Sequence, residues 1–112
     1  MSSGDGIQAV KAARNQALCR EVNERIESLA TMAGDVGFLC ECADIDCTET
    51  LRLSLAEYER VRSSSVRFPV KPGHDYPEVE SVVEENDRYA VVQKRGKAAE
   101  VSAGLDPRTR RR

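Results

Sequence analysis

The stretch Phe38-Leu39-Cys40-Glu41-Cys42-Ala43-Asp44-Ile45-Asp46-Cys47 carries most of what the chain says about its own architecture. Residues 38–42 alternate with period two, which puts Phe38, Cys40 and Cys42 on one side of a short strand. Three of the four cysteines fall within eight residues, spaced C-x-C-x4-C, among the acidic neighbours Glu41, Asp44, Asp46 and Glu49. The sole histidine, His74, follows after 26 intervening residues in a Pro72-Gly73-His74 turn. Three thiolates and one imidazole form a common tetrahedral zinc set. The strand delivers Cys40 and Cys42 to one side, the loop returns Cys47, and the Pro-Gly turn presents an imidazole without crowding. The expected metal ligands are Cys40, Cys42, Cys47 and His74, with zinc as the cofactor. Cys19 is the rival fourth ligand, while Asp44 and Asp46 are less usual donors beside thiolates. The alternatives to zinc are four reduced cysteines buried as small hydrophobes, or an iron–sulfur cluster. Disulfides are disfavoured, because C-x-C is a strained pair and residues 1–8 lack the basic region and apolar run of a secretion signal.

Downstream of this stretch, Leu51-Arg52-Leu53 reads as a second strand, with residues 44–49 as the connecting loop. Ser54-Leu55-Ala56-Glu57 is a capping-box signature, and Leu55, Tyr58 and Val61 continue it at helical spacing as far as Ser63-Ser64-Ser65. Arg67-Phe68-Pro69-Val70 is predicted to be extended, since Pro69 disfavours the helical region for Phe68. Residues 79–85 and 89–94 read as two strands around an Asn86-Asp87-Arg88 loop. Residues 97–103 are predicted to form a short helix. Upstream, Leu18, Val22, Ile26, Leu29 and Ala33 share one stripe about 80° wide at 100° per residue. This predicts a helix over 14–33, extending less securely to Ile7, with Gly34 as its stop. Lys11 and Asn15 project onto the same stripe, and Cys19 borders it.

The fold class expected is α+β: an N-terminal amphipathic helix, a small antiparallel sheet of four to five short strands, one middle helix and a single zinc site. Residues 1–6 read as a loose start, 7–105 as one zinc-stabilised domain, and 106–112 as a basic, flexible tail. With 112 residues, one domain is all the chain can build. Leu, Ile, Val and Phe number only 24, and there is no Trp, so the core must be small and a metal would add needed stability. No apolar run reaches the roughly 20 residues of a membrane span. A formal net charge of −2, from 17 basic and 19 acidic residues, argues against a general polyanion binder.

Several segments resemble a group of short, uncharacterised actinobacterial proteins. They are Phe-Leu-Cys-Glu-Cys-Ala-Asp-Ile-Asp-Cys-Thr-Glu from Phe38, Leu-Ala-Glu-Tyr-Glu-Arg-Val-Arg from Leu55, Arg-Phe-Pro-Val-Lys-Pro-Gly-His from Arg67 and Tyr-Ala-Val-Val-Gln-Lys from Tyr89. The group shares an Ala-Arg-Asn-x-Ala-Leu-x-Arg-Glu-Val-Asn-Glu-Arg-Ile start, found here at residues 13–26, and the likeness covers about residues 12–107. The resemblance implies a cytoplasmic bacterial protein and no particular activity.

Catalysis is not expected. The acidic pairs Asp44/Asp46 and Glu84/Glu85 have no nucleophile beside them, and no P-loop, dinucleotide fingerprint or His-Glu-x-x-His is present. Three cysteines and one histidine would also close a zinc coordination sphere. The function expected is a non-enzymatic, zinc-binding interaction module with a protein partner on the N-terminal helix. The alternative is a nucleic-acid-associated regulator using Arg108, Arg110, Arg111 and Arg112, whose contact would be strongly salt-dependent. Phe38 and Phe68 fall at core positions, which leaves no aromatic platform for single strands.

Overall fold

The computed structural model describes residues 2–30, 34–44 and 46–110, with side chains described from residue 14 to residue 108. The elements run α1 (Ser2–Leu29), β1 (Asp35–Leu39), β2 (Thr50–Ser54), α2 (Leu55–Arg62), β3 (Arg67–Val70), β4 (Glu80–Glu85), β5 (Ala90–Lys94), α3 (Gly96–Gly104) and α4 (Pro107–Arg110). The α+β class is as the sequence predicts. The strands form two antiparallel sheets, β1-β2 and β3-β5-β4. They are stitched together just past β1, where Cys40 N donates to Glu49 O at 3.0 Å and Glu41 N donates to Pro69 O at 2.9 Å. No helix of the described residues is long and apolar enough to cross a membrane.

Local chemistry explains most of these elements. Ser54 caps α2 with both arms of the capping box formed: Glu57 N donates to Ser54 Oγ and Ser54 N donates to Glu57 Oε1. Arg88 then pairs with Glu57 at 2.9 Å and draws its carboxyl down to about 2. Asn86 accepts from Arg88 N and Tyr89 N and so closes the β4–β5 loop. The apolar core is compact. Phe38 faces Leu51 and Val36 faces Leu53 across β1-β2, and the Phe38 ring stacks on Tyr58 at 4.3 Å. Phe68, Val70, Tyr89, Val91 and Val92 complete it from the second sheet and its loop.

The N-terminal helix corrects the sequence reading. Its start is at Ser2 rather than near Ile7, and the expected stripe is turned outward. Leu18 is 59% exposed, Val22 48% and Leu29 66%, while Gln16, Arg20, Asn23 and Glu24 are buried. Ile26 is half-buried against the core, and Ala33 lies outside the described residues. The reason is the surface that receives the helix. Residues 39–43 present carbonyls that need donors, and an unpaired buried carbonyl costs more than an exposed leucine. Asn15 Nδ2 donates to Ala43 O at 3.1 Å, Gln16 Nε2 to Glu41 O at 2.9 Å and Asn23 Nδ2 to Leu39 O at 3.0 Å. Arg20 pairs with Glu41 at 3.1 Å, donates to Ser65 O and Arg67 O, and lies 3.8 Å over the Phe68 ring.

The other buried charges are paired as well. Arg62 binds Glu24 at 2.8 Å and Asp106 at 2.7 Å, and Lys94 sits 2.9 Å from Glu80. The C-terminal segment expected to be a loose tail begins with buried Asp106 and Pro107 and continues as α4. There Arg108 binds Glu24, Glu27 and Glu59.

The inverted helix predicts an inverted mutational pattern. Arg20→Ala leaves Glu41 buried without its cation and is expected to cost about 3–5 kcal/mol in urea unfolding. Leu18→Ser, on the outward face, is expected to cost less than about 0.5 kcal/mol.

Candidate metal centre

Cys40 and Cys42 leave the end of β1, and the loop to β2 folds back to bring Cys47 beside them. That loop is pinched by Cys47 N donating to Asp44 O at 3.1 Å and by Asp46 N donating to Asp44 Oδ1 at 2.9 Å. His74 arrives from the β3–β4 connection. Lys71-Pro72-Gly73-His74 is a turn closed by His74 N donating to Lys71 O at 2.9 Å, with Gly73 at φ 90°, the position that type II geometry reserves for glycine. The turn is tied to the cysteines at its first residue, where Lys71 N donates to Cys40 Sγ at 3.2 Å and Lys71 Nζ pairs with Glu49 at 3.1 Å.

The outcome is one tight group. The ligand atoms of Cys40, Cys42, Cys47 and His74 all lie within 4.8 Å of one another, and the group can hold a metal ion. His74 Nδ1 is 3.7 Å from Cys40 Sγ and 3.6 Å from Cys47 Sγ. Cys40 and Cys42 are buried, whereas Cys47 and His74 are half-exposed. An open cleft of about 280 Å³ runs past Cys42, Asp44, His74, Asp75 and Tyr76. Asp44 and Asp46, the carboxylate alternatives, are exposed and stand outside the group. Cys19 is outside it too. Half-buried on α1, its thiol is pushed up to about 11, by burial first and then by Glu41, Cys42 and Cys47.

The thiols compete for charge. The thiol of Cys40, aided by His74 and the backbone of Asp44, pulls Cys42 down to about 5 against its burial. The same hydrogen bond pushes Cys40 up, with burial adding to it. Cys47 is raised by burial, although the backbone of Glu49 opposes the shift. The shared hydrogen bonds and burial thus set the thiols apart, favouring the thiolate at Cys42 over Cys40 and Cys47.

Glu41 is the residue the sequence reading misplaced. Read only as one of the acidic neighbours of the cysteines, it has a fully buried side chain, accepting from Arg20, from Asn23 at 2.7 Å and from the Tyr58 hydroxyl at 3.0 Å. Two signals were available. Glu41 alternates with the cysteines, which sends it to the opposite side of the strand, and Gln16, Arg20, Asn23 and Glu27 recur at helical spacing.

No family model matches this sequence, nor does any curated protein or any solved structure. The fold and the cluster define a small α+β protein with a candidate Cys3His metal centre.

Because the hydrogen bond to Cys42 and burial raise Cys40, and burial raises Cys47, loading the site with a divalent ion at pH 7 should release about two protons from them. Calorimetry in buffers of different ionisation enthalpy measures that number. It should fall as pH rises and the thiols ionise ahead of the metal.

Proposed function

We propose that this protein is a non-enzymatic, zinc-stabilised interaction module in which Cys40, Cys42, Cys47 and His74 bind one zinc ion. The observation that carries the reading is the size of the cluster. Bonds of about 2.3 Å to sulfur and 2.0–2.1 Å to nitrogen give S···N edges of about 3.6 Å in a regular tetrahedron. His74 Nδ1 lies 3.7 Å from Cys40 Sγ and 3.6 Å from Cys47 Sγ, and all four ligand atoms lie within 4.8 Å of one another. A binuclear iron–sulfur cluster would spread its ligands in pairs across two irons, which a group this tight does not suit. Four protein ligands fill a tetrahedral sphere, and a closed site is a structural rather than a catalytic one.

The remainder of the reading concerns partners and setting. The outward Leu18, Val22 and Leu29 give α1 an apolar face for a protein partner. The nucleic-acid alternative has less support, since Arg108 is already bound by three carboxylates. The reading extends to the short actinobacterial proteins with the same Cys-Glu-Cys…Pro-Gly-His pattern, as cytoplasmic proteins in whose reducing surroundings thiolates persist.

Protein purified without chelator should contain about one zinc per chain by elemental analysis. His74→Ala and Cys47→Ser should each weaken zinc binding about a hundredfold or more, and Cys19→Ser should leave it nearly unchanged. Zinc-free protein with four freely titratable thiols would overturn the reading.

A further inference from the structure

Residues 39–43 form a plate with two occupied sides. The even positions, Cys40 and Cys42, belong to the metal cluster. The odd positions are gripped by α1: Leu39 exchanges both backbone hydrogen bonds with the Asn23 amide, Glu41 binds Arg20, Asn23 and Gln16, and the Ala43 carbonyl accepts from Asn15. Between them lies only one thickness of backbone. The period-two alternation of an extended chain makes this unavoidable, because whatever fixes the Cα positions for one side fixes them for the other.

Leu18 and Val22 of this part of α1 face outward, and the helix is also seated on α3 and, through Arg20, on Ser65, Arg67 and Phe68. Its last turns are anchored through Glu24 to Arg62 and Glu27 to Arg108, and Arg62 binds Asp106, whose carboxylate also lies 4.0 Å from Arg20. Within α1, the bonds to the plate come from residues 15–23.

We infer that zinc occupancy and the docking of α1 are coupled through residues 39–43, with Glu41 as a positioning residue for Cys40 and Cys42. This rests on the zinc reading above and names how that site is linked to the rest of the molecule. Zinc holds the 39–43 carbonyls and the Glu41 carboxylate where the helix needs them, and its loss loosens α1 over residues 15–23. By linkage the reverse holds as well: a weakened helix grip lowers zinc affinity by the same factor. An arm that docks with the metal and loosens without it would make any partner on α1 responsive to zinc.

Hydrogen exchange on the full chain, with zinc bound and after chelation, tests this directly. Amides of residues 15–23 should exchange about tenfold faster or more without zinc and recover when zinc is restored, while those of β5 change far less. Asn15→Ala and Glu41→Gln should weaken zinc about fivefold or more in chelator competition, although neither changes a ligand. Asn15→Ala, on the margin of the buried ion pair, serves even if Glu41→Gln fails to fold. Stoichiometric zinc with unchanged α1 exchange, or unchanged affinity in Asn15→Ala, overturns the inference and leaves the zinc reading standing. Equal loss of protection in β5 and α1 also overturns it, in favour of global unfolding. Absence of zinc binding overturns both.

Discussion

The Arg20–Glu41 ion pair, 3.1 Å long and almost wholly buried, is the constraint on which the rest of the structure turns. Charges removed from water need polar partners, and each nitrogen of Arg20 and each carboxylate oxygen of Glu41 has one. Arg20 joins Glu41 to the Ser65 and Arg67 carbonyls and covers the Phe68 ring. Glu41 adds Asn23 and Tyr58. Through these few atoms α1 meets the first sheet, the second sheet and α2 at one place. Burial pushes the Arg20 guanidinium down, and the facing Glu41 carboxylate opposes that shift.

A small aliphatic core leaves room for such an arrangement. Where a larger protein would seat its first helix on a leucine-rich face, this one seats it on carbonyls, a carboxylate and a second set of buried pairs around Arg62. Polar seating is directional. It specifies one angle and one register of the helix, and it holds residues 39–43 to a single path. Two of the cysteines ride on that path, and a metal site tolerates little displacement of its donors. The polar core and the cysteine cluster are thus two uses of one rigid stretch of chain.

Much of the candidate site was legible because its signals are short-range. C-x-C on an alternating strand, a Pro-Gly turn ahead of a lone histidine and a capping box at Ser54 each act through neighbours only a few residues away. Their geometry follows from backbone preferences alone. The face of α1 was not legible in this way. A stripe of Leu18, Val22 and Leu29 points inward only if the surface beneath it is apolar, and that surface is made by chain from 39 to 43, by residues 65 to 67 and by α3. The same holds for Glu41, which looks like one more acidic loop residue until a guanidinium 21 positions earlier arrives above it.

By itself, then, the sequence determined most of the elements and their order, the α+β class and the candidate donors for a metal, because propensity, capping and alternation are properties of adjacent residues. Only the tertiary structure decided which face of α1 is buried, that His74 and not Cys19 joins the three cysteines, and that Asp106 and Arg108 belong to the body rather than to a loose end. Those outcomes depend on which polar groups meet after folding. Pairing energies between residues 21 to 84 positions apart are invisible to any local pattern until the chain has brought them within about 3 Å.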